Sequence, residues 1–258
     1  MKTIILCGGA GSRLSEETYL RPKPMVTVGG RPILWHIMNI YGQAGFNEFV
    51  LALGYKAEMI KEYFYNYHAL NSDFEIDLES GKIRYLKPSP RNWKVELVET
   101  GEKTMTGGRV KRLEPYVRPH GTFMLTYGDG VCNVDLKALL AYHKSHGKLA
   151  TVTAVRAISR FGNMVCEAGE VRNFKEKPQS DEGRINGGFF ILEPEVFDFI
   201  DGDSTVLEAS PLERLAAERQ LMAFDHRGFW HCMDNVRDRQ ILEELWASGE
   251  PPWKCWKD

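Results

Sequence analysis

An α/β fold is predicted for this 258-residue chain by three observations. An apolar, strand-like run at the N-terminus ends in glycines. Amphipathic helical patterns alternate with short apolar runs through the first half. No internal repeat, low-complexity tract or Pro/Ser-rich linker interrupts the chain. Together they specify a Rossmann-like, mostly parallel mixed sheet flanked by helices, with a small antiparallel β excursion and a C-terminal helical tail, in one domain over 1-258.

The elements follow in order. Lys2 to Leu6 reads as a buried strand, so Gly8, Gly9 and Gly11 fall at its C-terminal end, where open α/β sheets bind ligands. Pro32 to Ala44 carries apolar residues at helical spacing, with a proline near its start and Gly45 beyond its end. Phe49 to Leu53 is the second strand and Ala57 to Tyr67 the next helix, the βαβ rhythm of a parallel sheet. Between Phe74 and Val98, segments around Ile83 to Leu86 and Val95 to Val98 alternate apolar with polar residues and predict antiparallel pairing. Thr122 to Tyr127 is a strand running into Gly128-Asp129-Gly130, followed by a helix over Leu136 to Ser145 and a strand over Ala150 to Val155. Met164 to Phe174 predicts a hairpin turning at Ala168-Gly169-Glu170. Gly187 to Leu192 is a strand, Leu212 to Glu218 a helix, Phe229 to Met233 a last strand ending at Asp234, and Val236 to Trp246 a closing amphipathic helix.

A net charge of −2 argues against a general nucleic-acid or anionic-membrane binder, so any basic site is local. The apolar run after Lys2 is too short for a secretory signal and no stretch has the length of a membrane span, which predicts a cytoplasmic protein. Cys7, Cys132, Cys166, Cys232 and Cys255 are odd in number and lack Cys-x-x-Cys spacing, so they read as reduced thiols. His143 and His146 lie one helical turn apart and admit a metal clip, but the lysines around them favour a solvated helix end. The aromatic tail, Trp246, Trp253 and Trp256, suits either a subunit interface or packing onto its own core.

The chemistry concentrates near the N-terminus. Glycines without Cβ let backbone N–H groups approach phosphate oxygens or a base edge, and Arg13 adds a permanent charge with a planar fork matched to phosphate. Pro22 and Pro24 stiffen the backbone on either side of Lys23, mounting a flexible cation on a rigid support. Asp129 and Asp234 each follow a strand end; if those strands are parallel neighbours, both carboxylates face the rim of the glycine loop and suit Mg²⁺. Plainer readings stand beside these: a strand-to-helix turn for the glycines, a tight turn for Gly128-Asp129-Gly130, and a helix cap for Asp234. A dinucleotide fingerprint would want glycine where Leu14 stands and an acidic residue after the second strand, where Gly54-Tyr55-Lys56 follows.

In order, Gly8-Gly9-x-Gly11-x-Arg13-Leu14, Pro22-Lys23-Pro24, Tyr127-Gly128-Asp129-Gly130, Glu176-Lys177-Pro178, Asn186-Gly187-Gly188 and Met233-Asp234 resemble the sugar-1-phosphate nucleotidyltransferases over nearly the whole chain. The segment from Thr100-Gly101 through Thr104 to Arg109, with Phe229-Trp230 and the Trp-rich tail, resembles the branch that makes CDP-glucose from CTP and glucose 1-phosphate. The resemblance implies attack of a sugar-phosphate oxygen on the α-phosphorus of CTP, with Mg²⁺ as cofactor, and a homo-oligomer. It implies that Gly8, Gly9, Gly11, Ser12, Arg13, Lys23, Thr106, Gly107, Gly108, Arg109, Tyr127 and Asp129 hold the nucleotide. Arg13, Lys23 and Asp129 would be catalytic, Asp129 and Asp234 would bind metal, and Glu176, Lys177, Asn186 and Gly187 would hold the sugar phosphate. Residues 1-130 would be mainly the nucleotide half, and 131-258 mainly the sugar-phosphate half with its tail. Arg109 is expected to donate to the cytosine O2/N3 edge; for Gly107-Gly108 a tight hairpin turn stands beside a backbone contact to the base. Ser12 keeps the hydroxyl of the threonine frequent in the family, whereas Asn163 to Cys166 departs from the pattern and leaves other sugar phosphates open. A catalytically silent sensor of the same fold would be expected to lose Arg13, Lys23 or an aspartate, and all are retained.

Overall fold

A computed structural model describes residues 1–87, 91–158, 163–167, 170–175 and 179–256. The chain opens with β1 (Lys2–Leu6), the glycine loop, α1 (Ser15–Thr18), the short ribbon β2 (Thr27–Val28) and β3 (Arg31–Pro32), and α2 (Ile33–Gln43). β4 (Glu48–Leu53), α3 (Ala57–Tyr65) and α4 (Tyr67–Asn71) lead into the hairpin β5 (Phe74–Ile76) and β6 (Ile83–Tyr85). Then come β7 (Lys94–Glu99), α5 (Thr106–Arg112), α6 (Glu114–Val117), β8 (Phe123–Tyr127), β9 (Gly130–Cys132) and α7 (Leu136–His146). Asp135 caps α7 by accepting from the Lys137 and Ala138 N–H groups, and Gly147 ends it in the left-handed conformation. The second half runs through β10 (Ala150–Ile158), β11 (Asn163–Glu167), β12 (Glu170–Lys175), β13 (Gln179–Asn186), β14 (Phe190–Leu192), α8 (Ser210–Ala217), β15 (Leu221–His226), β16 (Trp230–Cys232) and α9 (Val236–Ala247).

Among the described residues, eight strands form the main sheet in the order β13-β10-β14-β8-β1-β4-β7, with β15 also beside β10. β7, β4, β1 and β8 run parallel, while β14 is antiparallel to both β8 and β10. The parallel strands are buried on both faces: Ile5, Met124 and Leu51 face one core cluster, and Ile4, Leu125 and Val50 face the other. Register decides where the rim lies. Leu6 pairs with Ala52 on one side and Tyr127 on the other, so β1, β4 and β8 end level and deliver the glycine loop, Gly54 and Gly128-Asp129 to one edge.

Several expectations are corrected. Val95 to Val98 is not antiparallel: β7 joins the main sheet parallel to β4, since residues 54 to 93 are ample for the crossover a parallel partner requires. The antiparallel excursion is confined to β5 and β6. The strand expected over Gly187 to Leu192 starts only at Phe190, because Gly188 and Phe189 take left-handed φ values of 74° and 49°. The last strand is not a parallel neighbour in the main sheet either; β16 forms a two-stranded antiparallel ribbon with β9. For the Trp-rich tail the structure takes the core alternative already held open: Trp253 and Trp256 are buried against His36 and Trp35. His143 is also buried, sharing the Thr151 hydroxyl with His146 and reaching Glu193, which corrects the solvated reading. The turn at Ala168-Gly169 lies outside the described residues, and no described helix is long and apolar enough to cross a membrane.

Candidate active site

The rim gathers four charges that the sequence scatters. Gly11 takes φ 63°, a left-handed value costly for other residues, and its carbonyl starts the 3-10 turn Ser12–Leu14 that carries Arg13. Pro22, extended at ψ 148°, leads into a second 3-10 turn, Lys23–Met25, so the Lys23 stem leaves a rigid backbone. Its ammonium lies 2.7 Å from Asp129 Oδ2 and 3.1 Å from Asp234 Oδ1. Arg13 Nη1 stands 2.5 Å from Asp234 Oδ2, yet the Arg13 side chain is 79% exposed and keeps most of its fork toward solvent. Burial opposes the Lys23 charge, but Asp129 and Asp234 outweigh it and hold the pKa above the ordinary lysine value.

Asp234 arrives by a route the sequence did not disclose. In the β9–β16 ribbon, Cys232 pairs with Gly130 and Met233 N–H donates to the Asp129 carbonyl, which sets the next residue beside Asp129. The capping duty considered for Asp234 falls to Asn235, whose side chain accepts from Asp238 N–H in a reciprocal capping box. The Asp234 carboxylate meets Lys23 and Arg13. Side-chain donor atoms of Asp129, Asp234 and Cys232 lie within 4.8 Å of one another, close enough for one divalent ion to reach both carboxylates. Cys232 was not singled out, because its approach depends on ribbon register.

A second network lies around Tyr127. Its hydroxyl donates to Glu208 at 2.6 Å and accepts from Asn186 Nδ2 at 3.0 Å, while Thr106 Oγ1 donates to the other Glu208 oxygen at 2.6 Å. Burial, then the Glu208 charge, raises the Tyr127 pKa, so the hydroxyl keeps its proton. Gly187 accepts the Trp230 indole N–H at 2.8 Å. Glu208, a residue no motif marked, thus joins Thr106 to Tyr127, and the Tyr127 hydroxyl carries the link on to Asn186. Glu176 and Lys177 lie outside the described residues.

Gly107 and Gly108 form no hairpin turn; they open α5, pressed against the segment around Asp203 and Thr205. Arg109, in the same helix, is only 3% exposed, and its guanidinium is occupied by backbone carbonyls and a hydroxyl. Gly9 is exposed with open space beside its Cα, and Ser12 lies at the start of the 3-10 turn. A concavity of about 740 Å³ is lined by α3, α4 and β7 residues such as Phe64, Tyr67 and Trp93 and shares no residue with this cluster. Charge and donor chemistry select the rim instead.

The profile of the nucleotidyl transferase family matches residues 2–238. The chain belongs to that family. Glucose-1-phosphate cytidylyltransferase of Salmonella typhi is 50% identical over 257 residues, covering 100% of both chains. A probable glucose-1-phosphate cytidylyltransferase of Bacillus subtilis is 44% identical over 99% of this chain and 100% of its own. The crystal structure of HddC from Yersinia pseudotuberculosis complexed with GMP-PN superposes with a TM-score of 0.69 at 24% identity, covering 95% of this chain and 99% of HddC, and shares its fold. The cluster of Arg13, Lys23, Asp129 and Asp234 is therefore the candidate active site of a nucleotidyltransferase.

Proposed function

We propose that this chain transfers a cytidylyl group from CTP to α-D-glucose 1-phosphate, giving CDP-glucose and pyrophosphate. The observation that carries the reading is the 50% identity, end to end, with glucose-1-phosphate cytidylyltransferase of Salmonella typhi. The geometry supports the same chemistry. A sugar-phosphate oxygen is already anionic near neutral pH, so the reaction needs no general base, and positioning and charge neutralisation carry the work. Lys23 is held on a stiff turn between two carboxylates, ready to turn its ammonium to the reacting phosphates. Arg13, mostly exposed, offers its fork to the triphosphate and the departing pyrophosphate.

Asp129 and Asp234 fit a hard divalent ion such as Mg²⁺, because their oxygens converge and substrate phosphates would complete an oxygen shell. Such an ion, when bound, neutralises charge on the α-phosphate and the incoming sugar phosphate. In this reading Gly8, Gly9, Gly11, Ser12, Thr106, Gly107, Gly108 and Tyr127 shape the nucleotide side. Lys177 clamps the sugar phosphate, and Glu176 and Asn186 bond sugar hydroxyls beside Gly187. Residues 1–130 supply most of the nucleotide half and 131–258 most of the sugar half, with Asp234 crossing between them. Exposed apolar residues on and beside the β5–β6 hairpin, including Ile76, Leu78 and Ile83, suit a homo-oligomer contact.

Pyrophosphate release with Mg²⁺ from a matrix of nucleoside triphosphates against sugar 1-phosphates tests the reading. Release requiring both CTP and glucose 1-phosphate supports it. Release with CTP and only another sugar phosphate moves the assignment to that acceptor, and silence with every pair refutes it.

A further inference from the structure

Arg109 turns inward from α5. The guanidinium is buried, and the acceptors around it are neutral. Nη1 donates to Leu53 O at 3.1 Å, Thr100 Oγ1 at 2.8 Å and Gly101 O at 2.7 Å; Nη2 donates to Gly8 O at 2.9 Å and Glu102 O at 3.1 Å. Those acceptors stand at or just beyond the C-terminal ends of β1, β4 and β7, so one cation ties three adjacent strand ends together.

The glycines around it follow from this placement. A Cβ on Gly8 would sit 2.1 Å from Arg109 Nη1, and one on Gly54 2.4 Å from the same atom. A Cβ on Gly108 would meet the Asp203 backbone at 2.5 Å, so α5 lies close against that segment and aims Arg109 at the strand ends. Gly8 and Gly54 leave space for the guanidinium, and Gly108 lets its helix approach.

One peptide plane links the arrangement to the nucleotide. The Gly8 carbonyl accepts from Arg109 and from Tyr55 N–H at 3.1 Å, so it points into the protein. In a trans peptide the next N–H points the opposite way. The Gly9 N–H therefore faces outward at a residue that is exposed and has open space beside it. We infer that Arg109 is a positioning residue for nucleotide binding: by locking the Gly8 carbonyl inward it presents the Gly9 N–H to the triphosphate or base. Resting on the nucleotidyl-transfer reading, this role acts through the backbone and requires no contact between the guanidinium and cytosine.

The test measures equilibrium binding of CTP and UTP, and the KM for glucose 1-phosphate, in wild type, Arg109→Ala, Arg109→Lys and Gly8→Ala. Wild-type CTP binding comes first; its absence overturns the nucleotide reading itself and leaves nothing for Arg109 to position. Given binding, Arg109→Ala is expected to weaken CTP and UTP alike, by roughly 10- to 100-fold, with the glucose 1-phosphate KM nearly unchanged. Arg109→Lys should recover little, since one ammonium cannot serve five acceptors spread over three strand ends. Gly8→Ala should reproduce the defect with Arg109 present, and low millimolar guanidinium should partly restore CTP binding to Arg109→Ala. Loss of CTP preference with UTP affinity intact would show a direct base contact and overturn the inference, as would wild-type CTP affinity in Arg109→Ala. If Arg109→Ala fails to fold, Gly8→Ala decides: wild-type triphosphate affinity there also overturns it.

Discussion

Replacing Lys23 with methionine keeps most of the stem and removes an ammonium that contacts both Asp129 and Asp234, at 2.7 and 3.1 Å. Breaking a fully buried pair costs about 3–5 kcal/mol, whereas exposed pairs contribute about 0–1. The three side chains here are 12%, 23% and 13% exposed, and Arg13 still neutralises Asp234, which places the loss near 2 kcal/mol. For a chain of this size that lowers Tm by roughly 4–8 °C. Because the folded pKa of Lys23 is raised above 10.5, its contribution is complete below that value and lost as pH rises through the folded pKa. The gap between wild type and variant should therefore hold from pH 7 to 9 and close only at strongly alkaline pH. Mn²⁺ alone should bind the variant more tightly, roughly tenfold, since the competing cation is gone. Turnover with CTP and glucose 1-phosphate should fall about 10²- to 10³-fold with little change in the CTP KM. A variant with wild-type turnover and a raised KM, or with unchanged Tm and unchanged Mn²⁺ affinity, would refute the reasoning.

Asp129→Ala and Asp234→Ala are each expected to cut Mg²⁺-dependent turnover by orders of magnitude while leaving far-UV circular dichroism intact; near-normal rates in both would contradict the carboxylate assignment. Gly108→Ala should lower the urea midpoint by the equivalent of about 1–3 kcal/mol because its methyl meets the Asp203 backbone, whereas Gly9→Ala, with open space around it, should unfold like wild type. His36 donates to Val28 O and accepts from the Trp253 indole, and burial, assisted by the Arg31 charge, lowers its pKa to about 4. The unfolded chain then takes up the proton first, so stability falls as pH drops from 6.5 toward about 4, by about 3 kcal/mol relative to His36→Asn. Tryptophan-fluorescence unfolding across that range reads the slope, and parallel curves for the two proteins would remove His36 as its source.

Legibility in the sequence tracked how local each feature is. β1 emerges at the bounds its apolar run predicts, and α2, α7 and α9 emerge within two residues of theirs, because caps, glycines and 3.6-residue spacing act within a few residues. α5 was not legible: Gly107-Gly108 admits a tight turn or a backbone contact to the base, and only the close approach of residues 203 to 205 makes glycine the residue that fits in this helix. β15 was missed because its half-buried, mixed pattern acquires meaning only beside β10. Val95 to Val98 shows the same limit, since alternation reports a half-exposed strand and not the direction of its partner.

For the site, the sequence by itself determined the parts: a glycine loop after a strand, a proline-mounted Lys23, Arg13, two aspartates after strand ends, and the order of motifs that marks the nucleotidyl transferase family. Those properties reside in residue type and short spacing. Only the tertiary structure decided how the parts meet. Arg13 and Asp234 are 221 positions apart and touch because a ribbon outside the main sheet sets Asp234 beside Asp129. Glu208 joins Thr106 to Tyr127, and Arg109 turns inward to hold Gly8 across 101 positions. The physical reason is shared: strand register and packing of distant segments choose the partners of a charged side chain, and no pattern within a few residues specifies them.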